Sequence, residues 1–215
     1  FLPGNVPPEK VSAIERWGAE VFHAGSVWDE AHLAARELAE REGRTYVHAF
    51  ADPAVVAGQG TIGIEVLEDA PETELLLVAI GGGGLISGIA TAAKALKPDV
   101  RVIGVEPVGA PTLFESVRSG SLVELSSIST AANTLAPRKS AALNLAIIQE
   151  KVSEIVLVSD DEMRDAARWL WLEMGIAAEM SGAASVAAWL SGRVQGQDRE
   201  RVCAIVCGAG TEGCA

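Results

Sequence analysis

Basic residues, aromatics and cysteine are all scarce in this 215-residue chain. Lysine and arginine number 17 against 29 acidic residues, a formal net charge of −12. Nucleic acid and anionic membranes both need a positive surface, so neither is expected as a partner. An anionic ligand must then be gripped locally, by backbone N–H groups, and not drawn in by the overall field. The three cysteines, Cys203, Cys207 and Cys214, crowd near the end of the chain. An odd, clustered set is a poor disulfide framework and points to a reducing cytoplasm. No histidine accompanies them, so a zinc site is not expected. The opening Phe1-Leu2-Pro3-Gly4 lacks the basic stretch and apolar core of a secretion signal. Apolar runs are broken by glycine or charge before they reach membrane-spanning length. A soluble, cytoplasmic protein is expected.

Small apolar residues and 22 glycines dominate instead, with 49% of the chain hydrophobic and only 5% aromatic. Such a mix suits layered α/β structure, where small side chains let helices lie close on a sheet. Pro7-Pro8 introduce a helix over 9–17. Residues 19–23 alternate as a short strand. Ser26, with Asp29 three residues on, opens a helix that Gly43 ends. Residues 45–48 form another brief strand. Longer elements follow: a helix over 58–67, a buried strand over 75–80, the loop Gly81-Gly82-Gly83-Gly84, and a helix over 85–96 stopped by Pro98. Strands at 101–105, 154–158 and 202–207 alternate with helices from Ser159, boxed by Glu162, and over 182–190. Residues 109–143 are the least patterned and read as helix fragments and loops. The alternation predicts an α/β fold with an open, mostly parallel sheet and helices on both faces, plus a partial second, smaller α/β domain.

Strand, tetraglycine, helix is the sharpest local signal. Glycines let backbone N–H groups converge on one point, and the following helix adds its positive end. A close helix–strand turn is the plainer alternative. No Gly-Lys-Ser/Thr follows, so a P-loop is excluded. A dinucleotide fingerprint fares better: Gly81/Gly83 and Gly82/Gly84 supply two glycines, although Ile86 or Ser87 stands in place of the third. Glu106 ends the next strand where a ribose-binding acid would lie.

Other segments carry a resemblance. Ala57-Gly58-Gln59-Gly60-Thr61-Ile62-Gly63 is similar to the Gly-Gln-Gly-Thr segment of threonine and serine dehydratases and serine racemases, pyridoxal-phosphate enzymes of the tryptophan-synthase-β-like fold. His48-Ala49-Phe50, Gly81 to Leu85, Val105-Glu106-Pro107, Glu179-Met180-Ser181-Gly182-Ala183 and Cys207-Gly208-Ala209 resemble further blocks of that family, in its order. The resemblance implies that the N–H groups of Gly81, Gly82, Gly83, Gly84 and Leu85 cradle the phosphate of pyridoxal phosphate. It implies that Cys207 faces the pyridine nitrogen, with Phe50 beside the ring and Glu179 near the cofactor. Read without it, Cys207 is a small buried hydrophobe, Phe50 a core aromatic and Glu179 a helix-start carboxylate. Glu106 and Ala110 correspond to a cation site found in part of the family, yet Thr112 replaces its acid, so a divalent cation is not expected. Asn133-Thr134 and Gly210 also depart from the family pattern.

The family's Schiff-base lysine sits in a Ser-x-Lys-x-Arg-Gly-like segment, and none of Lys10, Lys94, Lys97, Lys139 and Lys151 has that context. The resemblance therefore implies an N-terminally truncated dehydratase in which residues 1–52 are a remnant of the small domain and 53–215 the large cofactor domain. Its substrate, if completed, is a small amino acid such as L-threonine or L-serine, deaminated to a 2-oxo acid and ammonia. Alone it is expected to be inactive, to retain the cofactor incompletely, and to form a homo-oligomer that covers exposed sheet edges. Two rivals stand beside this reading: a non-catalytic module binding a phosphate or nucleotide ligand, and a weak hydrolase on the same scaffold. No Gly-x-Ser-x-Gly elbow supports the last.

Overall fold

A computed structural model describes residues 1–198, 200–211, 213 and 214, without the side chain of Glu9. The chain forms two compact units, Phe1–Val47 and His48–Ala215.

The first unit holds helices α1 (Pro8–Glu15) and α2 (Trp28–Glu42). Gly43, at φ 66°, closes α2 in the left-handed conformation that glycine tolerates. At its other end the Ser26 N–H and hydroxyl both reach the Glu30 carboxylate, at 2.6 and 3.3 Å. Val27 is the N-cap of α2 and no side chain caps it, so the expected Ser26–Asp29 cap does not form. Neither short strand expected here forms. Among the described residues His23 makes one parallel bridge to Leu2, and 45–48 pair with nothing as a ladder. Alternation gives a segment two faces, but a strand exists only where a neighbour supplies hydrogen bonds.

The second unit runs α3 (Pro53–Asp69), β1 (Leu75–Ala79), α4 (Gly84–Leu96), β2 (Arg101–Pro107), α5 (Thr112–Ser119), α6 (Ala142–Lys151), β3 (Glu154–Val158), α7 (Asp160–Met174), α8 (Met180–Leu190) and β4 (Val202–Ala204). The sheet is parallel throughout, in the order β3-β2-β1-β4. Strand β1 is buried on both faces, which is why it reads as an unbroken apolar run. Leu76, Val78 and Ile80 pack with Ile86 and Ile89 of α4 and Leu145 and Ile148 of α6. Leu75, Leu77 and Ala79 pack with Met163 and Ala167 of α7 and Ala183 and Ala187 of α8. Helices thus cover both faces, as the α/β fold class requires. Helix α3 begins at Pro53, earlier than the spacing predicts, because Asp52 accepts from the Ala54 N–H at 2.7 Å. The Ser159–Glu162 capping box on α7 forms as expected. Strand β4 stops at Ala204, short of the expected 207. Only the Ile205 N–H to Leu77 carbonyl bond carries the pairing further.

Gly60 and Gly63 of the 57–63 segment act in packing, with Gly88 of α4 facing them. A Cβ on Gly63 would lie 2.9 Å from the Ile89 carbonyl oxygen, and one on Gly88 would lie 2.2 Å from that of Val56. Backbone meets backbone between α3 and α4, so no side chain fits at either point. This close contact fixes where α4 lies, and with it the turn at its N-terminus.

Candidate functional site

The turn Gly81–Gly84 joins the C-terminal end of β1 to α4 at the edge where the parallel strands finish, the usual ligand edge of an open α/β sheet. Gly83, at φ 91°, is the N-cap of α4. Ile80 donates to Val105 and Ser87 donates to Gly83, but among the described residues the N–H groups from Gly81 to Ile86 meet no acceptor. Gly83, Gly84 and Ile86 are buried, while Gly81, Gly82 and Leu85 are half-buried. A run of donors without acceptors, partly withdrawn from water and backed by a helix N-terminus, is suited to an oxyanion.

The segment 48–52 lies against this turn. The His48 Nδ1 accepts from the N–H groups of Phe50 at 3.1 Å and Ala51 at 3.0 Å, and the two rings meet edge-on with centroids 4.6 Å apart. The Phe50 ring sits over Gly82, and its backbone over Gly84. From the other side Asn144 of α6 donates to the Phe50 carbonyl at 2.9 Å and to the Gly82 carbonyl at 2.7 Å, and Ser140 adds a bond to Gly82 at 2.8 Å. Asn144 is fully buried, and among the described residues its Oδ1 has no donor. Leaving such an atom unpaired costs about 1–3 kcal/mol. No reading of the sequence singles out Asn144 or Ser140. The signal was a lone asparagine on the buried face of α6, beside Leu145 and Ile148.

A line of contacts leads from the turn to Cys207. A Cβ on Gly81 would lie 2.8 Å from the Thr134 carbonyl oxygen. The Thr134 hydroxyl donates to Glu179 Oε1 at 3.2 Å. Glu179, at the start of α8, takes the Gly208 carbonyl on its own N–H at 3.1 Å, and its carboxylate lies against Gly208. Cys207 is covalently next. Burial of its thiol raises the Cys207 pKa; its own backbone hydrogen bond acts the other way and the Glu179 charge adds to the rise. The residue as a whole is exposed, unlike the small buried hydrophobe expected. Phe50, Gly81, Gly82, Glu179 and Cys207 are thereby linked at one end of the sheet.

Glu106 and Ala110 are engaged elsewhere. The Glu106 carboxylate accepts from the Leu113 and Phe114 N–H groups at 2.8 and 2.7 Å, capping α5 from the end of β2. The Ala110 carbonyl takes the Thr112 N–H at 2.9 Å. The lysines of this unit are occupied too. Lys94 donates to Pro98, Lys97 to Pro71 and Thr73, Lys139 pairs with Glu124 and Lys151 with Glu150. Two surface grooves, about 270 Å³ beside Phe22 and Tyr46 and about 300 Å³ beside Ile64 and Leu96, include no residue of the turn. Both are open to solvent, and the turn is the better candidate for its run of N–H groups without acceptors among the described residues.

A family model for pyridoxal-phosphate dependent enzymes matches residues 1–208. The chain is 42% identical over 205 residues to an L-threonine ammonia-lyase of Geobacter sulfurreducens, a match over 95% of this chain and 51% of that one. It is 39% identical over 190 residues to an L-threonine ammonia-lyase of Thermotoga maritima, covering 88% and 47%. The chain thus spans about half the length of these relatives. Among solved structures, maize serine racemase superposes with a TM-score of 0.89 at 29% identity, over 97% of this chain and 64% of that one. The processed form of threonine deaminase isoform 2 from Solanum lycopersicum gives 0.87 at 34% identity, over 96% and 61%.

Proposed function

This chain belongs to the pyridoxal-phosphate-dependent enzyme family, and we propose that its glycine turn holds the phosphate of that cofactor as part of a threonine/serine dehydratase-like enzyme. The observation that carries the reading is the run of N–H groups from Gly81 to Ile86 without acceptors, at the N-terminus of α4. The site fits the group: among the described residues a run of main-chain donors without acceptors stands at a helix N-terminus, and glycine at 82 and 84 lets Phe50 cover it closely. Bound there, pyridoxal phosphate supplies an electron sink for chemistry at an amino acid's α-carbon.

The chain's own residues take defined parts. Gly81, Gly82, Gly83, Gly84 and Leu85 donate N–H groups to the phosphate. Phe50 shields that end from water. Cys207, its thiol pKa raised, would face the ring nitrogen as a neutral thiol, a partner that does not protonate it. Glu179, fastened by Thr134, holds the floor beside Gly208. Residues 1–52 belong to a small domain and 53–215 to the cofactor domain.

The likeness to threonine ammonia-lyases supports L-threonine or L-serine as substrate, with a 2-oxo acid and ammonia as products. None of the five lysines is proposed as the cofactor's covalent anchor, because none has the sequence context of the family's anchor and those of the second unit are engaged as surface groups. Turnover then needs a lysine from outside these 215 residues. We place the protein in the cytoplasm, on its three free cysteines, and as a homo-oligomer. Self-association is favoured by the three-residue edge strand β4 and by exposed Trp171, Leu172 and Met174 on α7. Among the described residues no helix is long and apolar enough to cross a membrane.

Titration with pyridoxal phosphate, followed by its absorbance and by protein fluorescence, tests the central reading. Saturable binding displaced by inorganic phosphate is expected, without the absorbance shift of a lysine imine. Absence of saturable binding, or binding indifferent to phosphate, would overturn it.

A further inference from the structure

We infer that Asn144 is a positioning residue for the phosphate, one that sets the direction of the glycine turn's amides. The inference rests on the phosphate reading above and concerns how that site is shaped. A trans peptide points its N–H opposite to its carbonyl, and among the described residues no peptide is cis. The Gly82 carbonyl is drawn to one side by Asn144 Nδ2 at 2.7 Å and Ser140 Oγ at 2.8 Å. The Gly83 N–H, on the same peptide, therefore faces away from both side chains, toward the side where no protein acceptor waits. Gly83 itself is pressed against α5 and α6. A Cβ there would lie 2.7 Å from Leu113 Cδ1 and 3.2 Å from Asn144 Cβ. The turn cannot rotate as a block into that wall, so the carbonyl anchors decide which way its peptide faces.

The same side chain fixes the opposite wall. Its second N–H goes to the Phe50 carbonyl at 2.9 Å, which keeps that backbone over Gly84. One buried amide thus joins the turn to the segment that covers it. Its own oxygen has no donor among the described residues. A leucine would fill the same volume without that penalty, so packing alone does not account for an asparagine. Two donors to two carbonyls do. No charged group takes part, and the effect passes entirely through the orientation of a peptide plane.

The test compares Asn144→Leu and Ser140→Ala with the unaltered chain, titrating each with pyridoxal phosphate and with pyridoxal, which lacks the phosphate. For Asn144→Leu, affinity for pyridoxal phosphate is expected to fall about tenfold or more, which corresponds to roughly 1.4 kcal/mol. Affinity for pyridoxal should stay within about twofold, well inside the range of a neutral change. Ser140→Ala removes one anchor and should give a smaller loss of the same selective kind. A general loosening would weaken both ligands together. Parallel losses, or unchanged pyridoxal-phosphate binding in both variants, would overturn the inference while leaving the phosphate reading intact. Should Asn144→Leu not fold, Ser140→Ala decides by the same criterion. If the unaltered chain binds neither ligand, the phosphate reading fails and the positioning role falls with it.

Discussion

The aromatic ring of Phe50 rests on Gly82: a Cβ built on that glycine would stand 2.2 Å from both Cγ and Cδ1 of the ring. Contact this close at the root of the ring leaves no room for even a methyl group. His48 fixes the backbone of Phe50 from one side and Asn144 from the other. The ring cannot move aside cheaply, and the turn keeps its glycine for that reason.

Gly82→Ala is accordingly expected to cost about 1–3 kcal/mol of stability, the usual range for overpacking. In a Phe50→Ala background the same change should cost less than half as much, because the obstacle is gone. Urea unfolding of the four proteins of this cycle measures the coupling directly. Additive effects would mean that the ring and the glycine do not meet in solution.

The glycines of helices α3 and α4 separate in the same way by what surrounds them. Gly88→Ala sets a methyl 2.2 Å from the Val56 carbonyl oxygen and 2.6 Å from the Gly60 nitrogen, backbone atoms that cannot yield. A loss of about 3 kcal/mol or more is expected in chemical denaturation. Gly58→Ala, on α3 and with nothing within 4 Å, should instead raise stability by about 0.5–1 kcal/mol through helix propensity. Similar effects at the two positions would refute the packing account.

That contrast marks what could be read beforehand. The strand–tetraglycine–helix unit was legible because β1 is buried on both faces and punctuated by four glycines. The Ser159–Glu162 box was legible because capping is a local matter. The strand expected at 45–48 failed because pairing is not local. Helix α5 was hidden in a stretch broken by Gly120 and Pro137; α6, just beyond it, was assigned to no element, and with it went Asn144, whose partners lie 62 and 94 residues away. The role of Gly60, Gly63 and Gly88 was also out of reach: a resemblance can flag a motif without telling a ligand contact from a helix crossing.

Cys207 offers a chemical check on the line of contacts from Thr134 to Gly208. Burial, the largest influence, and the Glu179 charge both raise its thiol pKa, so its thiolate is scarce near neutral pH. In a background with Cys203 and Cys214 replaced by serine, alkylation by iodoacetamide at pH 7.5 should be slow relative to a free thiol. Glu179→Gln should speed it about two- to threefold by removing the lesser of the two raising influences. An unchanged rate would separate Glu179 from Cys207.

The last expectation concerns Glu106, which lies fully buried at the end of β2. Burial pushes its carboxyl up to about 8; the Leu113 and Phe114 N–H groups oppose the rise without cancelling it, and the Glu115 charge adds to it. Between the ordinary value of 4.5 and about 8, the folded chain holds a proton that the unfolded chain has released. Stability from this group is therefore complete below the lower limit and is lost as pH climbs through the upper one. Its slope cannot exceed about 1.4 kcal/mol per pH unit for a single proton. Glu106→Gln carries no titrating proton yet keeps one oxygen for the start of α5. Its urea midpoint should be lower than that of the unaltered chain at pH 5.5, where one hydrogen bond is missing, by about 1 kcal/mol in stability. By pH 8.5 the difference should shrink or reverse, since only the unaltered chain must then bury a charge. Parallel pH profiles for the two proteins would show that Glu106 ionises in the folded state as easily as in the unfolded one, and that the α5 N-terminus compensates its burial in full.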